Sequence, residues 1–291
     1  MAWSYQYKIA GCVVDISSDS DACEHDMQKF LCLYKGVEGS RADLSFVVRN
    51  VGSGLSFVFI SSEGDEEKLW VSDDAREITA ALEIHLYSQL VQWLDKKNIV
   101  SIHSSVLNIN DTALMFAGVS GAGKSSICTA GLLNDAAYLS DEFTLLDKDG
   151  FVHPFPRPMQ WEHATHPAFD REAIEATGLI RADHFDFPAA TGEEVRCHLW
   201  VPKHVQPENL PLRTVVLHQY KDDIEQVCLE KIARHEALSA LPEHLHVQHG
   251  LATDLPKLNQ RIPKDCQFYR LTFPDVHQAW ATIKAAVVAN I

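Results

Sequence analysis

The stretch TALMFAGVSGAGKSSICTAGLL, residues 112–133, decides how the chain is read. Six residues, Thr112 to Ala117, form an apolar run with strand character. Gly118-Val119-Ser120-Gly121-Ala122-Gly123-Lys124-Ser125 then matches GxxxxGK[ST] at every fixed position. Ser126 to Leu133 reads as a helix, although Thr129 and Gly131 are poor helix formers. Each motif residue has a physical reason. Glycines let the backbone turn tightly and aim successive N–H groups into one concavity, which suits phosphate oxygens. The helix adds the positive end of its dipole. Lys124 reaches outer phosphates and the Ser125 hydroxyl can ligate Mg²⁺. Residues 118–126 are therefore the nucleotide-binding candidates, with ATP as the default because no NKxD-type guanine motif occurs.

Working outward, the chain from residue 99 alternates strand, turn and helix. IVSIHSSVLNI is strand-like, and Asn110-Asp111 makes a turn into the 112–117 strand. A further strand ends at AYLSD. FTLLD and FVHPF flank Asp149-Gly150, a hairpin signal. Residues 154–168 read as loop, CHLWVP and RTVVLHQY as strands, and 276–289 as a closing helix. Residues 5–72 are β-rich instead: YKIAGCVVDI, ADLSFVVRN, LSFVFIS and KLWVS are divided by Gly, Asp, Ser and Glu clusters, with a hairpin turn at residues 51–54. A helix follows, with capping-box spacing at Asp74 and Glu77 and an apolar stripe at Ile78, Leu82, Leu86, Leu90 and Leu94. The runs Glu63–Glu67 and Asp73-Asp74 read as a solvated turn and a helix cap. The expected organisation is a smaller β-rich domain, residues 1–97, serving recognition or assembly, and a catalytic domain, residues 98–291. The class is α/β with an α+β tendency.

The net charge is −15, from 25 Lys plus Arg and 40 Asp plus Glu. Such a surface repels a phosphate backbone and an anionic bilayer, which disfavours nucleic acid and membrane as partners. Seven cysteines with no CxxC pair indicate neither a disulfide framework nor a structural zinc site. No run approaches transmembrane length, and the first 21 residues lack a signal-peptide pattern. The expected setting is a reducing cytoplasm.

Ala136 to Glu142 supplies the carboxylates that magnesium or proton transfer requires. Asp141 and Glu142 could divide these roles, one on metal and one as base. Adjacent residues on an extended strand face opposite ways, so both serve one site only if the chain turns there. Together, His103-Ser104-Ser105-Val106, the 118–125 motif and Leu139-Ser140-Asp141-Glu142 resemble the catalytic domain of HPr kinase/phosphorylase and the HPr-kinase-like proteins. Twenty-one residues separate His103 from Lys124 and seventeen separate Lys124 from Asp141, in agreement with that family's pattern. The resemblance covers roughly residues 99–160.

The resemblance implies a mixed-sheet P-loop domain of the type shared with phosphoenolpyruvate carboxykinase. It also implies ATP- and Mg²⁺-dependent phosphorylation of a serine hydroxyl on a protein or peptide, by a homo-oligomer. Lys124 would bind the transferring phosphate and Ser125 the metal, and His103 would lie beside the acids; on the residues themselves Asp141 is a further metal-ligand candidate. The family's base position falls on Glu142, with Asp141 supporting it. Two departures stand out: the family commonly has Asp-Asp, and the glycine-rich segment tied to its phosphorylase reaction is absent after the P-loop helix.

Further candidates come from the residues themselves. Pro156 and Pro158 flank Arg157, which would pre-position a guanidinium for phosphoryl charge. Glu162 is a candidate second magnesium ligand. Glu162–His166 and His244–His249 are histidine-rich but match no HExxH pattern and have no flanking cysteines. A nucleotide-dependent ATPase or switch without a phosphoacceptor, and a small-metabolite kinase, are the competing readings.

Overall fold

The computed structural model describes residues 2–161, 166–189 and 191–288. The chain begins with a hairpin, β1 (Trp3–Ile9) and β2 (Cys12–Ser18), closed by Ala10 and Gly11 in left-handed conformation with φ of 48° and 87°. The run YKIAGCVVDI is therefore two strands and not one. Helix α1 (Glu24–Leu31) leads to β3 (Lys35–Gly36), β4 (Leu44–Val51), β5 (Gly54–Ile60) and β6 (Glu66–Ser72). These strands form a six-stranded sheet in the order β3-β1-β2-β4-β5-β6, antiparallel except for the β2–β4 pair.

Helix α2 (Ala75–Lys96) packs on this sheet. The Asp74 carboxylate accepts from the Arg76 amide at 2.8 Å and caps its N-terminus. The capping box does not close, because the Asp74 amide donates to Ser72 Oγ and Glu77 accepts from the Trp70 indole. The stripe Ile78, Leu82, Leu86, Leu90 and Leu94 is buried at 1% exposure or less. At about 2 kcal/mol per buried side chain it contributes on the order of 10 kcal/mol of gross burial energy. The cluster that holds the stripe also contains Phe143, Leu145 and Phe155, so the core built on α2 continues past residue 97.

The remaining strands are β7 (Val100–Ile109), β8 (Thr112–Ala117), β9 (Ala137–Ser140), β10 (Phe143–Leu146), β11 (Phe151–His153), β12 (Met159–Trp161), β13 (Ile180–Pro188), β14 (Glu194–Pro202), β15 (Leu210–Tyr220), β16 (Cys228–Lys231) and β17 (Gln267–Phe273). The helices are α3 (Lys124–Leu132), α4 (Arg171–Ala176), α5 (Arg234–Ala240), α6 (Leu251–Arg261) and α7 (Val276–Val288). An eight-stranded mixed sheet runs β11-β10-β7-β8-β15-β17-β16, with β9 also on β7. Strands β8, β15 and β17 are parallel. Because β11 also pairs with β15, the strands β11, β10, β7, β8 and β15 close into a ring. The fold is thus mixed α/β with mixed sheets, in keeping with the expected class.

Asn110 and Asp111 both adopt positive φ, 50° and 58°, in the tight β7–β8 turn. Gly131, weak as a helix former, has a packing reason: a Cβ there would collide with Leu107 and Trp280. Residues 154–168, expected as loop, contain β12, which joins β14 and β13 in a three-stranded sheet. Among the described residues no helix is long and apolar enough to cross a membrane.

Candidate active site

Strand β8 sits between β7 and β15 with its C-terminal end opening into residues 118–123, and α3 starts at Lys124. Gly121 and Gly123 have φ of 77° and 95°, which L side chains rarely adopt. Gly118 is required by space: a Cβ would stand 2.7 Å from the His218 carbonyl oxygen. The loop closes around Lys124, whose Nζ donates to the carbonyls of Gly118 (3.0 Å) and Val119 (3.2 Å). Burial lowers the Lys124 pKa, against the charges of Glu142 and Asp141. The amides of Gly121, Gly123, Lys124 and Ser125 have no acceptor among the described residues. This is a set of open donors at a helix start, suited to an anion. The Ser126 hydroxyl is engaged with His166 Nε2 at 2.7 Å.

The acids lie where the chain bends between β9 and β10. Ser140 Oγ accepts from the amides of Glu142 (3.3 Å) and Phe143 (3.0 Å), which produces the turn that two adjacent acids need to serve one site. Asp141 is buried, and its Oδ1 has no hydrogen-bond partner. Burial pushes its pKa up to about 7; the Ser125 side chain beside it opposes the shift, and the Glu142 charge adds to it. A buried carboxylate with one orphaned oxygen, beside the Ser125 side chain, fits the oxygen-only ligand set of Mg²⁺.

Glu142 is half-exposed. Its Oε1 lies 3.3 Å from Nε2 of His103, which pairs with Phe143 across β7 and β10. Burial lowers the His103 pKa, against the pull of Glu142.

Of the His244–His249 cluster, His246 reaches this site. A β-bridge between Ile102 and Leu245 brings it beside His103. Its ring stacks on His103 (centroids 5.6 Å apart) and Phe143 (4.4 Å), and its Nδ1 lies 2.9 Å from Ser101 Oγ. Burial pushes its pKa down to about 4. His249 instead pairs with Asp95 at 3.0 Å. His218, at the end of β15, is buried against Gly118 and Phe116. Sequence reading singled out neither role: His246 comes from a segment some 140 residues from His103, and nothing local marks His218.

Arg157 is not a free guanidinium. Its Nη2 donates to Glu83 Oε1 at 2.7 Å, and its plane sits 4.9 Å from the Tyr87 ring, both on α2. Glu83 also accepts from Gln160. Arg157 still lies close enough to act electrostatically on Asp141. Glu162 falls outside the described residues.

Lys124, Ser125, Asp141, Glu142 and His103 thus converge at the C-terminal end of β8. Neither a protein-family model nor a curated protein matches this sequence.

Proposed function

We propose that the chain is an ATP- and Mg²⁺-dependent kinase that transfers the γ-phosphate to a serine hydroxyl of a protein or peptide, on a P-loop fold of the HPr kinase type. The carrying observation is the pairing of open loop amides with two differently housed acids. Asp141 is buried beside Ser125, and Glu142 is accessible and held by His103. The amides and Lys124 bind and orient the phosphates. Lys124 must leave the carbonyls of Gly118 and Val119 to do so. Ser125 and Asp141 would hold Mg²⁺, which would supply neutralising charge to the phosphate oxygens. Glu142 takes the proton of the acceptor hydroxyl as its oxygen attacks phosphorus, and ADP leaves. His103 orients the Glu142 carboxylate. The negative surface favours an acceptor serine set among basic or neutral residues.

The test is transfer of labelled γ-phosphate to candidate serine peptides. Lys124→Ala should abolish nucleotide binding, whereas Asp141→Asn and Glu142→Gln should retain it and lose about 10²-fold or more in transfer. Normal turnover in both acid variants would refute the assignment. Label released only as inorganic phosphate, whatever the acceptor, would establish an ATPase instead.

A further inference from the structure

We infer that His103, Glu142 and His246 form a second metal site, selective for a divalent transition ion of the Zn²⁺ type and separate from the oxygen-lined site at Ser125 and Asp141. One ligand atom from each of the three residues lies within 4.8 Å of the other two. Around a tetrahedral ion with bonds of about 2.1 Å, neighbouring ligand atoms sit about 3.4 Å apart. The His103–Glu142 distance, 3.3 Å, already has this value. His246 has at most about 1.4 Å to close to reach that spacing.

The supporting contacts are those of a built site. Ser101 Oγ takes up Nδ1 of His246 and leaves Nε2 as its ligand nitrogen, the outer contact that metal-binding histidines usually have. Phe143 stacks on the same ring and fixes its plane. The partial exposure of His103 and Glu142, 37% and 36% of their side chains, leaves room for water at a fourth position.

Donor chemistry separates the two sites. Two imidazoles and one carboxylate suit Zn²⁺, Fe²⁺, Ni²⁺ or Cu²⁺, whereas Mg²⁺ prefers an all-oxygen set. Asp141 and Glu142, adjacent in sequence, would therefore sort two ions by softness. Binding does not depend on the proposed kinase activity. Its consequence does: an ion on Glu142 occupies the carboxylate that must receive the serine proton, so occupancy inhibits transfer.

The experiment titrates Zn²⁺ alone into the nucleotide-free full chain by calorimetry, with Co²⁺ absorption reporting a tetrahedral site. One equivalent should bind. His246→Ala and Glu142→Gln should each weaken it at least about tenfold and abolish the Co²⁺ spectrum, and Ser101→Ala should weaken it about tenfold. Asp141→Asn should leave it unchanged. Matching thermal unfolding curves exclude misfolding. Unchanged Zn²⁺ affinity and Co²⁺ spectrum in His246→Ala and Glu142→Gln would overturn the inference, whatever the outcome for phosphate transfer.

Discussion

Nε2 of His103, on β7, and Oε1 of Glu142, in the bend before β10, lie 3.3 Å apart, while the adjacent acid, Asp141, points into a buried space beside Ser125. One bend thus gives two adjacent carboxylates opposite environments, and burial raises the proton affinity of Asp141.

Asp141 should make the nucleotide-free protein less stable as pH rises. Its folded pKa, about 7, lies above its ordinary value of 3.8, so the folded chain holds the proton more tightly than the unfolded one. Its stabilising influence is complete below pH 4 and fades as pH climbs towards 7, by an amount on the order of a few kcal/mol. Asp141→Asn should therefore raise the unfolding temperature at pH 8 and have little effect at pH 4. A thermal unfolding series across this range checks it, and equal effects at both ends would show that Asp141 ionises normally.

Gly131→Ala should invert the usual helix rule. In an exposed helix the change stabilises by about 1 kcal/mol. Here the new methyl would meet Leu107 and Trp280, so α3 must move off β7 and α7. A net destabilisation of roughly 1–3 kcal/mol is expected. Urea midpoints of the two proteins decide the sign.

The Glu83–Arg157 pair ties α2 to the segment after β11, with side-chain exposures of 18% and 11%. Removing one partner leaves a buried charge alone. Glu83→Gln or Arg157→Met should each cost about 3–5 kcal/mol, and the double variant should cost less than the sum. A double-mutant cycle in denaturant measures the coupling. Additive losses would mean that the two charges act independently.

Much of the site was legible because it rests on local signals. A strand, a glycine-rich loop, Lys124 and a helix follow one another directly, and the α2 stripe has the period of a helix with one buried face. The bend at Asp141 could be stated only as a condition, since it depends on where the Ser140 hydroxyl points. Strand β13 was missed because Asp183 and Asp186 interrupt its apolar pattern; each is satisfied by an arginine, Arg181 and Arg196, which the sequence does not pair with it. Arg157 was read as available because the loop prolines say nothing about α2. Its partner, Glu83, lies 74 residues away, and long-range pairings of this kind leave no trace in local composition.

The hydrophobic cluster that runs from the α2 stripe to Phe143, Leu145 and Phe155 bears on how the molecule can be divided. Phe143 follows Glu142 directly, so the lining beneath the acidic bend belongs partly to the first 97 residues. The two halves are not interchangeable modules. Grafting residues 98–291 onto another leader, or expressing them alone, would strip the wall from behind the acids, and a change deep in α2 would be felt at Glu142 without touching it.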